Sequence, residues 1–186
     1  MPDDPIIFKL ASADSNARES AAAEIFAKGR ALAEPILAVW LQDPPLRANF
    51  NDGKPQMTVG VAVLSETFAR IRAANGNPSL ADVPPDQDAI EFELRFAGGI
   101  QLDILTTNTP GGTGAIARFL DKFGEGIQQV ELDVKSVDKA MEILRTHFNL
   151  APLYPATRAG ADRTRVNFFL ASRPDGRKVL IELVEK

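Results

Sequence analysis

Amide and carboxylate side chains occupy alternate positions in the segment GIQQVELDV, which covers residues 126–134. Gln129, Glu131 and Asp133 alternate there with the apolar residues Val130 and Leu132. Such alternation is typical of a β-strand with one buried face, so the three polar side chains share the other face. Side chains of these types can bind hard cations, accept protons or hydrogen-bond a polar ligand.

Other segments predict polar strand faces of the same kind. The valines of TVGVAV leave Thr58 opposite the buried face, GIQLDIL leaves Gln101 and Asp103, and KVLIELVE leaves Glu182. Strand parity does not decide between Gln101 and Asp103. We expect the polar positions to converge on one concave surface that forms a ligand cleft: Thr58, Gln101, Asp103, Gln129, Glu131, Asp133 and Glu182.

The elements that carry these residues recur along the chain. Two strands, TVGVAV and QVELDV, are each followed by an amphipathic helical pattern and by further short strands. Ser65 and Ser136 stand 71 positions apart, and each is expected to cap the start of its helix. The sequence therefore predicts an α+β fold of two paired βαβββ modules, about 56–121 and 125–186, which form a curved sheet around a cleft.

A helical extension is predicted ahead of these modules, over residues 1–50. Asp14 is a suitable cap for a first helix that ends at Gly29, and Pro35 suits the first turn of a second helix. The pair resembles one hairpin of a HEAT-type repeat. The segment DPPLRANFNDGKP that follows has the composition of a linker.

Composition excludes several classes of function. The formal net charge is −4 and basic residues are scattered, which argues against nucleic-acid binding. The chain contains no cysteine, so thiolate metal sites and cysteine nucleophiles are excluded. We find neither a signal peptide nor a membrane-spanning run, and therefore expect a cytoplasmic protein with no membrane partner.

Three stretches together resemble the vicinal oxygen chelate superfamily, most closely its methylmalonyl-CoA epimerase and glyoxalase members, with the bleomycin resistance proteins as further relatives. They are the start TVGVAV, the junction IARFLDKFGEGIQQVELDV and the ending FFLASRPDGRKVLIELVE. The resemblance covers about residues 56–186, which it identifies as a glyoxalase-like domain. It implies a small-molecule ligand and a homodimer.

The resemblance also implies a divalent metal held by two histidines, a Gln or Glu, and a final glutamate. The histidine positions fall on Thr58 and Gln129, the next on Gln101 or Asp103, and the last on Glu182. The implied metal ligands are thus Gln101, Gln129 and Glu182, with Glu182 also the candidate catalytic base. Because both imidazoles are replaced, we expect no metal or a weakly bound oxygen-ligated ion.

Three functions remain open at this point. The first is small-molecule binding in the cleft with a degenerate metal site, as in antibiotic-sequestering relatives. The second is a metal-dependent isomerase or lyase of the epimerase and glyoxalase type that uses Glu182. The third is a non-catalytic interaction protein that binds a partner through its N-terminal helices.

Other candidate motifs favour structural explanations. The segment 112–117 matches the dinucleotide pattern G-x-G-x-x-A, but its first glycine does not directly follow a strand, so a connector is expected. His147 lies at the end of a helical pattern, far from the polar strand faces, and is expected to be a helix-end residue. Arg158, Arg163 and Arg165 stand in a loop that could meet an anionic ligand, although a solvated loop is the simpler reading.

Overall fold

The computed structural model describes residues 5–186, which form an α+β fold as the sequence predicts. The α-helices are α1 (Pro5–Phe8), α2 (Ser15–Trp40), α3 (Pro44–Ala48), α4 (Ser65–Ala74), α5 (Ala115–Phe123) and α6 (Val137–Phe148). The strands are β1 (Met57–Ala62), β2 (Ile90–Phe96), β3 (Ile100–Thr106), β4 (Gly126–Asp133), β5 (Arg158–Ala159), β6 (Arg165–Ser172) and β7 (Lys178–Glu185). Within the described residues, no helix combines the length and the apolar character needed to cross a bilayer.

The chain divides into two compact units. The first contains Thr58–Gln128 together with the N-terminal segment as far as Lys28, and the second contains Gly29–Met57 and Gln129–Lys186. Each unit therefore combines one of the predicted strand-and-helix modules with part of the N-terminal extension.

In the first unit, β1 runs parallel to β3, and β2 pairs antiparallel with the other edge of β3. Val59 lies beside Leu102 in this register, and both side chains are fully buried. On the same face, the rings of Phe68 in α4 and Phe92 in β2 meet edge to face, with their centroids 4.7 Å apart. Burial of such side chains stabilises the module by roughly 1.5–3 kcal/mol each.

The first module differs from the predicted pattern in one detail. Between α4 and α5 the chain forms two strands, β2 and β3. In place of the expected additional strand, an extended segment approaches β2, where the Ala81 N–H donates to the Glu91 carbonyl.

The second unit forms the full strand, helix and three-strand pattern. Strand β4 runs parallel to β7, β6 pairs antiparallel with β7, and the short β5 pairs with β6. Val130, Ile181 and Phe169 share the face that is buried, and α6 contributes the buried Leu144 to the same unit. The opposite face carries the polar residues that the sequence singles out.

The N-terminal region differs from the predicted helical hairpin. Helix α2 runs without a break from Ser15 to Trp40, so Gly29 does not end it and Pro35 lies inside it. Asp14 does cap this helix, because its Oδ1 accepts the Asn16 N–H at 3.0 Å. Tertiary packing outweighs the local cost of an internal proline and glycine, since Gly29 itself is buried.

The segments around α2 are tied to the module within their own unit. In the first unit, the Asn75 side-chain amide at the end of α4 donates to the Leu10 carbonyl at 2.9 Å. In the second unit, the Asn49 amide donates to the Ser136 carbonyl at 2.8 Å. The predicted linker is correspondingly ordered, and it contains α3, whose start is capped by Asp43.

The two main helices begin differently. Ser136 caps α6 as predicted, because its hydroxyl accepts the Lys139 N–H at 3.3 Å. The corresponding prediction for Ser65 is wrong, since Ser65 is the first residue of α4 and the preceding Leu64 occupies the cap position. The Leu64 N–H instead donates to the buried Glu125 carboxylate at 2.8 Å, across 61 positions of sequence.

Candidate functional site

The first unit brings Thr58, Gln101 and Asp103 onto one face of β1 and β3. They alternate with Val59 and Leu102, whose side chains are buried on the other face. The Thr58 hydroxyl donates to Gln101 Oε1 at 3.2 Å, and Thr58 is only 7% exposed. This pair is neutral, so it offers hydrogen-bonding groups but no charge.

The edge strand β2 adds charged residues to this face. Glu93 lies beside Asp103 in the antiparallel register, and Arg95 lies beside Gln101. Arg95 pairs with Glu93 at 2.9 Å, and both side chains are exposed. The polar face of the first unit therefore carries both signs of charge along its edge.

The second unit brings Gln129, Glu131 and Glu182 into one hydrogen-bonded cluster. The Gln129 amide donates to Glu182 Oε2 at 2.5 Å and to Glu131 Oε1 at 3.2 Å. Glu131 and Glu182 lie side by side in the β4–β7 register, while Gln129 and Glu182 are 8% and 9% exposed. A single amide thus links two carboxylates that would otherwise repel each other.

Asp133 follows this cluster along β4 and has a different partner. Its Oδ2 lies 2.7 Å from Lys186 Nζ, in a partly exposed ion pair. Its backbone N–H donates to the Gln56 carbonyl at 3.0 Å. The Asp133 carboxylate is therefore paired with Lys186, and its assignment to a ligand site stays a prediction.

The donor chemistry of the second-unit cluster does not fit the transition metal that the superfamily resemblance implies. An ionised carboxylate only accepts hydrogen bonds, so the Gln129 group that faces Glu182 is the NH₂, which has no lone pair to give a metal. Across residues 5–186, His, Cys, Asp and Glu side chains nowhere gather in a group of three or more that could hold a metal ion.

Two aromatic residues that were not predicted from the sequence lie on the face of the second-unit cluster. Phe168 in β6 stands directly beside Glu182 in the antiparallel register. The Tyr154 ring meets Phe168 edge to face, with centroids 6.0 Å apart, and the Arg158 guanidinium lies 4.2 Å from the Tyr154 ring centroid. The alternation of RVNFFLAS indicates a strand and could have marked Phe168. Tyr154 lies in a loop, where no periodic pattern marks it.

The loop that carries Tyr154 and leads to Arg158 in β5 is fixed by neighbouring groups. The Asn167 amide, which is fully buried, donates to the carbonyls of Tyr154 and Ala156 at 3.0 Å each. Further along, Thr157 donates a short hydrogen bond to Asp138. Hydrogen bonds from Thr157 and then Arg165 hold the pKa of Asp138 below its usual range.

His147 and Arg165 have structural partners. His147 Nδ1 lies 2.7 Å from Asp43 Oδ2, and the Leu46 N–H and then this ring hold the pKa of Asp43 below its usual range. Arg165 pairs with Asp138 and Glu185.

The glycine-rich segment at 112–117 is explained by packing against its own unit. A Cβ on Gly114 would lie 2.5 Å from Asp88 Oδ2, so Asp88 would have to shift to admit a larger residue, and a Cβ on Gly112 would lie 2.7 Å from the Thr109 carbonyl oxygen. Asp88 also accepts hydrogen bonds from Thr107 and Thr109, which hold the loop between β3 and α5 in place. The match to the dinucleotide pattern therefore reflects a tightly packed connector.

Comparison with known proteins gives matches among solved structures alone: no family model and no curated protein matches the sequence. Methylmalonyl-CoA epimerase from Mycobacterium tuberculosis is 31% identical over 69% of this chain and 85% of that chain, with a TM-score of 0.56. A hypothetical protein from Bacillus halodurans is 24% identical over 69% of this chain and 91% of that chain, with a TM-score of 0.55. A variant of the Streptomyces coelicolor methylmalonyl-CoA epimerase, in complex with 2-nitronate-propionyl-CoA, is 20% identical over 69% and 94%, with a TM-score of 0.53.

Proposed function

Because the chain belongs to the vicinal oxygen chelate superfamily, we propose that it binds an acyl thioester of coenzyme A on the polar face of β4 and β7, without a catalytic transition metal. The choice of ligand class is supported by related structures that hold such molecules. One related epimerase structure is described in complex with methylmalonyl-CoA, and one in complex with 2-nitronate-propionyl-CoA.

The hydrogen bond between Gln129 and Glu182 is the observation that carries the metal-free part of the proposal. At 2.5 Å it is a close contact of an amide with a carboxylate, in a position that is almost fully buried. A metal ion that bound Glu182 would have to displace the Gln129 amide from it. The nitrogen of that amide has no lone pair with which it could bind the metal. The cluster is therefore suited to hydrogen-bond a ligand, and poorly suited to hold zinc, cobalt, nickel or iron.

The same contact limits what Glu182 can do as a catalyst. Removal of a proton next to a thioester carbonyl places negative charge on that carbonyl oxygen, which needs a cation or aimed hydrogen-bond donors. The Gln129 N–H groups are directed at the carboxylates of Glu182 and Glu131. Ligand binding is consequently the better-supported function, and the metal-dependent isomerase or lyase is not favoured by these residues.

Calorimetric titration combined with elemental analysis tests the proposal. We expect coenzyme A thioesters such as propionyl-CoA to bind purified protein with the same affinity before and after treatment with a chelator. Gln129→Leu should weaken this binding at least tenfold. Glu142→Gln, which changes an exposed carboxylate of α6 to an amide, should leave it unchanged.

Two results would overturn the proposal. One is a thioester affinity that disappears on chelation and returns with a divalent ion. The other is near-stoichiometric transition metal in the purified protein that is lost in Glu182→Gln. The homodimer predicted from the superfamily resemblance is tested separately, by light scattering across micromolar protein concentrations.

A further inference from the structure

An apolar strip adjoins the Gln129–Glu182 cluster on the same face of the second unit. Phe168 stands beside Glu182, and Leu170 stands beside Leu180 one pleat further along the β6–β7 pair. Phe168 and Leu180 are half-buried, and Leu170 is 40% exposed. Because facing residues of an antiparallel pair share a face, the three side chains form a continuous surface next to the carboxylate.

The fold itself does not require apolar residues at these positions. In the first unit, the strand pair β2–β3 places Glu93 beside Asp103 and Arg95 beside Gln101, in the register that β6–β7 uses for Phe168, Leu170 and Leu180. The equivalent surface of the first unit is thus polar and charged. The apolar strip is a property of the second unit alone.

Tyr154 forms a wall at one end of the strip, and its place is fixed by the protein. Its ring meets Phe168 edge to face at 6.0 Å. Its carbonyl accepts the Asn167 amide at 3.0 Å, and its N–H donates to Asn167 Oδ1 at 3.3 Å. Asn167 is a fully buried polar residue in a strand, so this loop is held by a dedicated anchor.

The charges around the strip select against an anionic group. Glu182 and Glu131 lie at its cluster end, while Asp133 is paired with Lys186. The Arg158 guanidinium lies 4.2 Å from the centroid of the Tyr154 ring. A carboxylate of the ligand placed against Phe168 would therefore stand beside the negatively charged Glu182, its neighbour in the register, while the Arg158 guanidinium contacts the Tyr154 ring.

We propose that Phe168, Leu170, Leu180 and Tyr154 form an acyl subsite that takes an uncharged branched or aromatic acyl group and rejects acyl groups that carry a carboxylate. The inference rests on the proposed function, since it names the kind of thioester that this face binds. The strip spans one strand repeat, roughly 7 Å, which suits a short acyl group better than a macromolecular partner.

Isobutyryl-CoA and methylmalonyl-CoA provide a matched pair of probes, because they differ in a methyl group against a carboxylate on the same carbon. We expect isobutyryl-CoA to bind at least tenfold more tightly in calorimetric titration. Leu170→Ser, at a partly exposed position, should reduce isobutyryl-CoA affinity several-fold and leave the affinity for free coenzyme A unchanged. Phe168→Leu should act in the same direction as a second, conservative variant.

The binding site can be located independently, because Tyr154 is the single tyrosine of the chain. Its ring resonances in an NMR titration should shift with isobutyryl-CoA and stay in place with free coenzyme A. If methylmalonyl-CoA binds as tightly as isobutyryl-CoA, or if Arg158→Gln removes a preference for methylmalonyl-CoA, the proposed acyl subsite is wrong.

The N-acetylcysteamine thioesters of the same two acids separate this inference from the proposed function. If the coenzyme A thioesters fail to bind while the isobutyryl N-acetylcysteamine thioester binds and is weakened by Leu170→Ser, the subsite stands and coenzyme A is not part of the ligand. If propionyl-CoA binds while neither class of isobutyryl thioester does, the subsite is wrong and the proposed function stands; if propionyl-CoA fails as well, both are overturned.

Discussion

The two modules of this chain use the same strand registers for different interactions. Strands β1 and β3 place Gly60 beside Asp103, and β4 and β7 place Glu131 beside Glu182. Gly60 and Glu131 are related by the same 71-residue offset as the two modules, so Asp103 corresponds to Glu182. The strand register therefore identifies Asp103, and not Gln101, as the position equivalent to Glu182, a choice that strand parity left open.

The difference between the modules is one of charge and direction. In the first, a neutral hydroxyl and amide bond directly across the strand pair, Thr58 to Gln101, at 3.2 Å. In the second, the Gln129 amide reaches diagonally along the neighbouring strand to a carboxylate, Glu182, at 2.5 Å. Hydrogen bonds to buried charges are stronger and less tolerant of losing one partner, so the second module should be the more sensitive to single substitutions.

The largest expected effect follows from removing the amide of the second module. Gln129→Leu leaves the Glu182 carboxylate, which is 9% exposed, without its donor at 2.5 Å. We expect the free energy of unfolding to fall by about 2–4 kcal/mol. Urea unfolding followed by circular dichroism, with an unchanged m-value, provides the measurement.

A double variant tests the reason for this loss. In Gln129→Leu combined with Glu182→Leu, both partners are replaced by apolar groups and no buried charge loses its donor at that contact. We expect most of the stability to return, to within about 1 kcal/mol of the original protein. A double variant that is less stable than Gln129→Leu would contradict this account.

Much of this arrangement was open to prediction from the sequence. The alternation of residues 126–134 and the ending KVLIELVE placed Gln129 and Glu182 on the face opposite the buried residues, and the register shows them there. The α+β class and the repeated order of strand and helix were also predictable, because hydrophobic periodicity determines both. The role of these residues in binding stays a prediction.

Features that depend on distant contacts were not predictable. Gly29 and Pro35 are local signals for a break, yet α2 continues through both because tertiary packing decides the outcome. At the start of α4, the N–H of Leu64 is bound by the Glu125 carboxylate, which lies 61 positions away in the sequence. Tyr154 reaches the candidate site through a loop that Asn167 holds, and no periodic pattern marks such a loop.

The second largest effect concerns the starts of the two helices. Glu125 is 4% exposed and accepts the N–H of Leu64, where α4 has no capping side chain of its own. We expect Glu125→Ala to lower the free energy of unfolding by about 1–3 kcal/mol. Glu185→Ala, which removes the acceptor of the Val137 N–H in the second module, should cost less because Ser136 still caps α6. A loss in Glu185→Ala that equals the loss in Glu125→Ala would contradict this order.

A smaller effect is expected for the pair of serines. Ser136→Ala removes a side-chain cap and should lower the free energy of unfolding by about 0.5–1 kcal/mol. Ser65→Ala should change it by less than about 0.5 kcal/mol, since Ser65 is exposed and lies within the first turn of α4. Thermal unfolding of the two variants side by side measures the difference. A Ser65→Ala variant as unstable as Ser136→Ala would show that both serines act as caps in solution.

The smallest effect is expected at the polar pair of the first module. Thr58→Val removes the hydroxyl that donates to Gln101 while it keeps the shape of a buried side chain. Gln101 is half-buried, so its carbonyl oxygen can accept from water once the hydroxyl is gone. We expect the free energy of unfolding to change by no more than about 0.5 kcal/mol, measured in the same urea series as Gln129→Leu. A loss at Thr58 as large as that at Gln129 would show that the neutral pair is as tightly constrained as the charged cluster, and the contrast between the modules would fail.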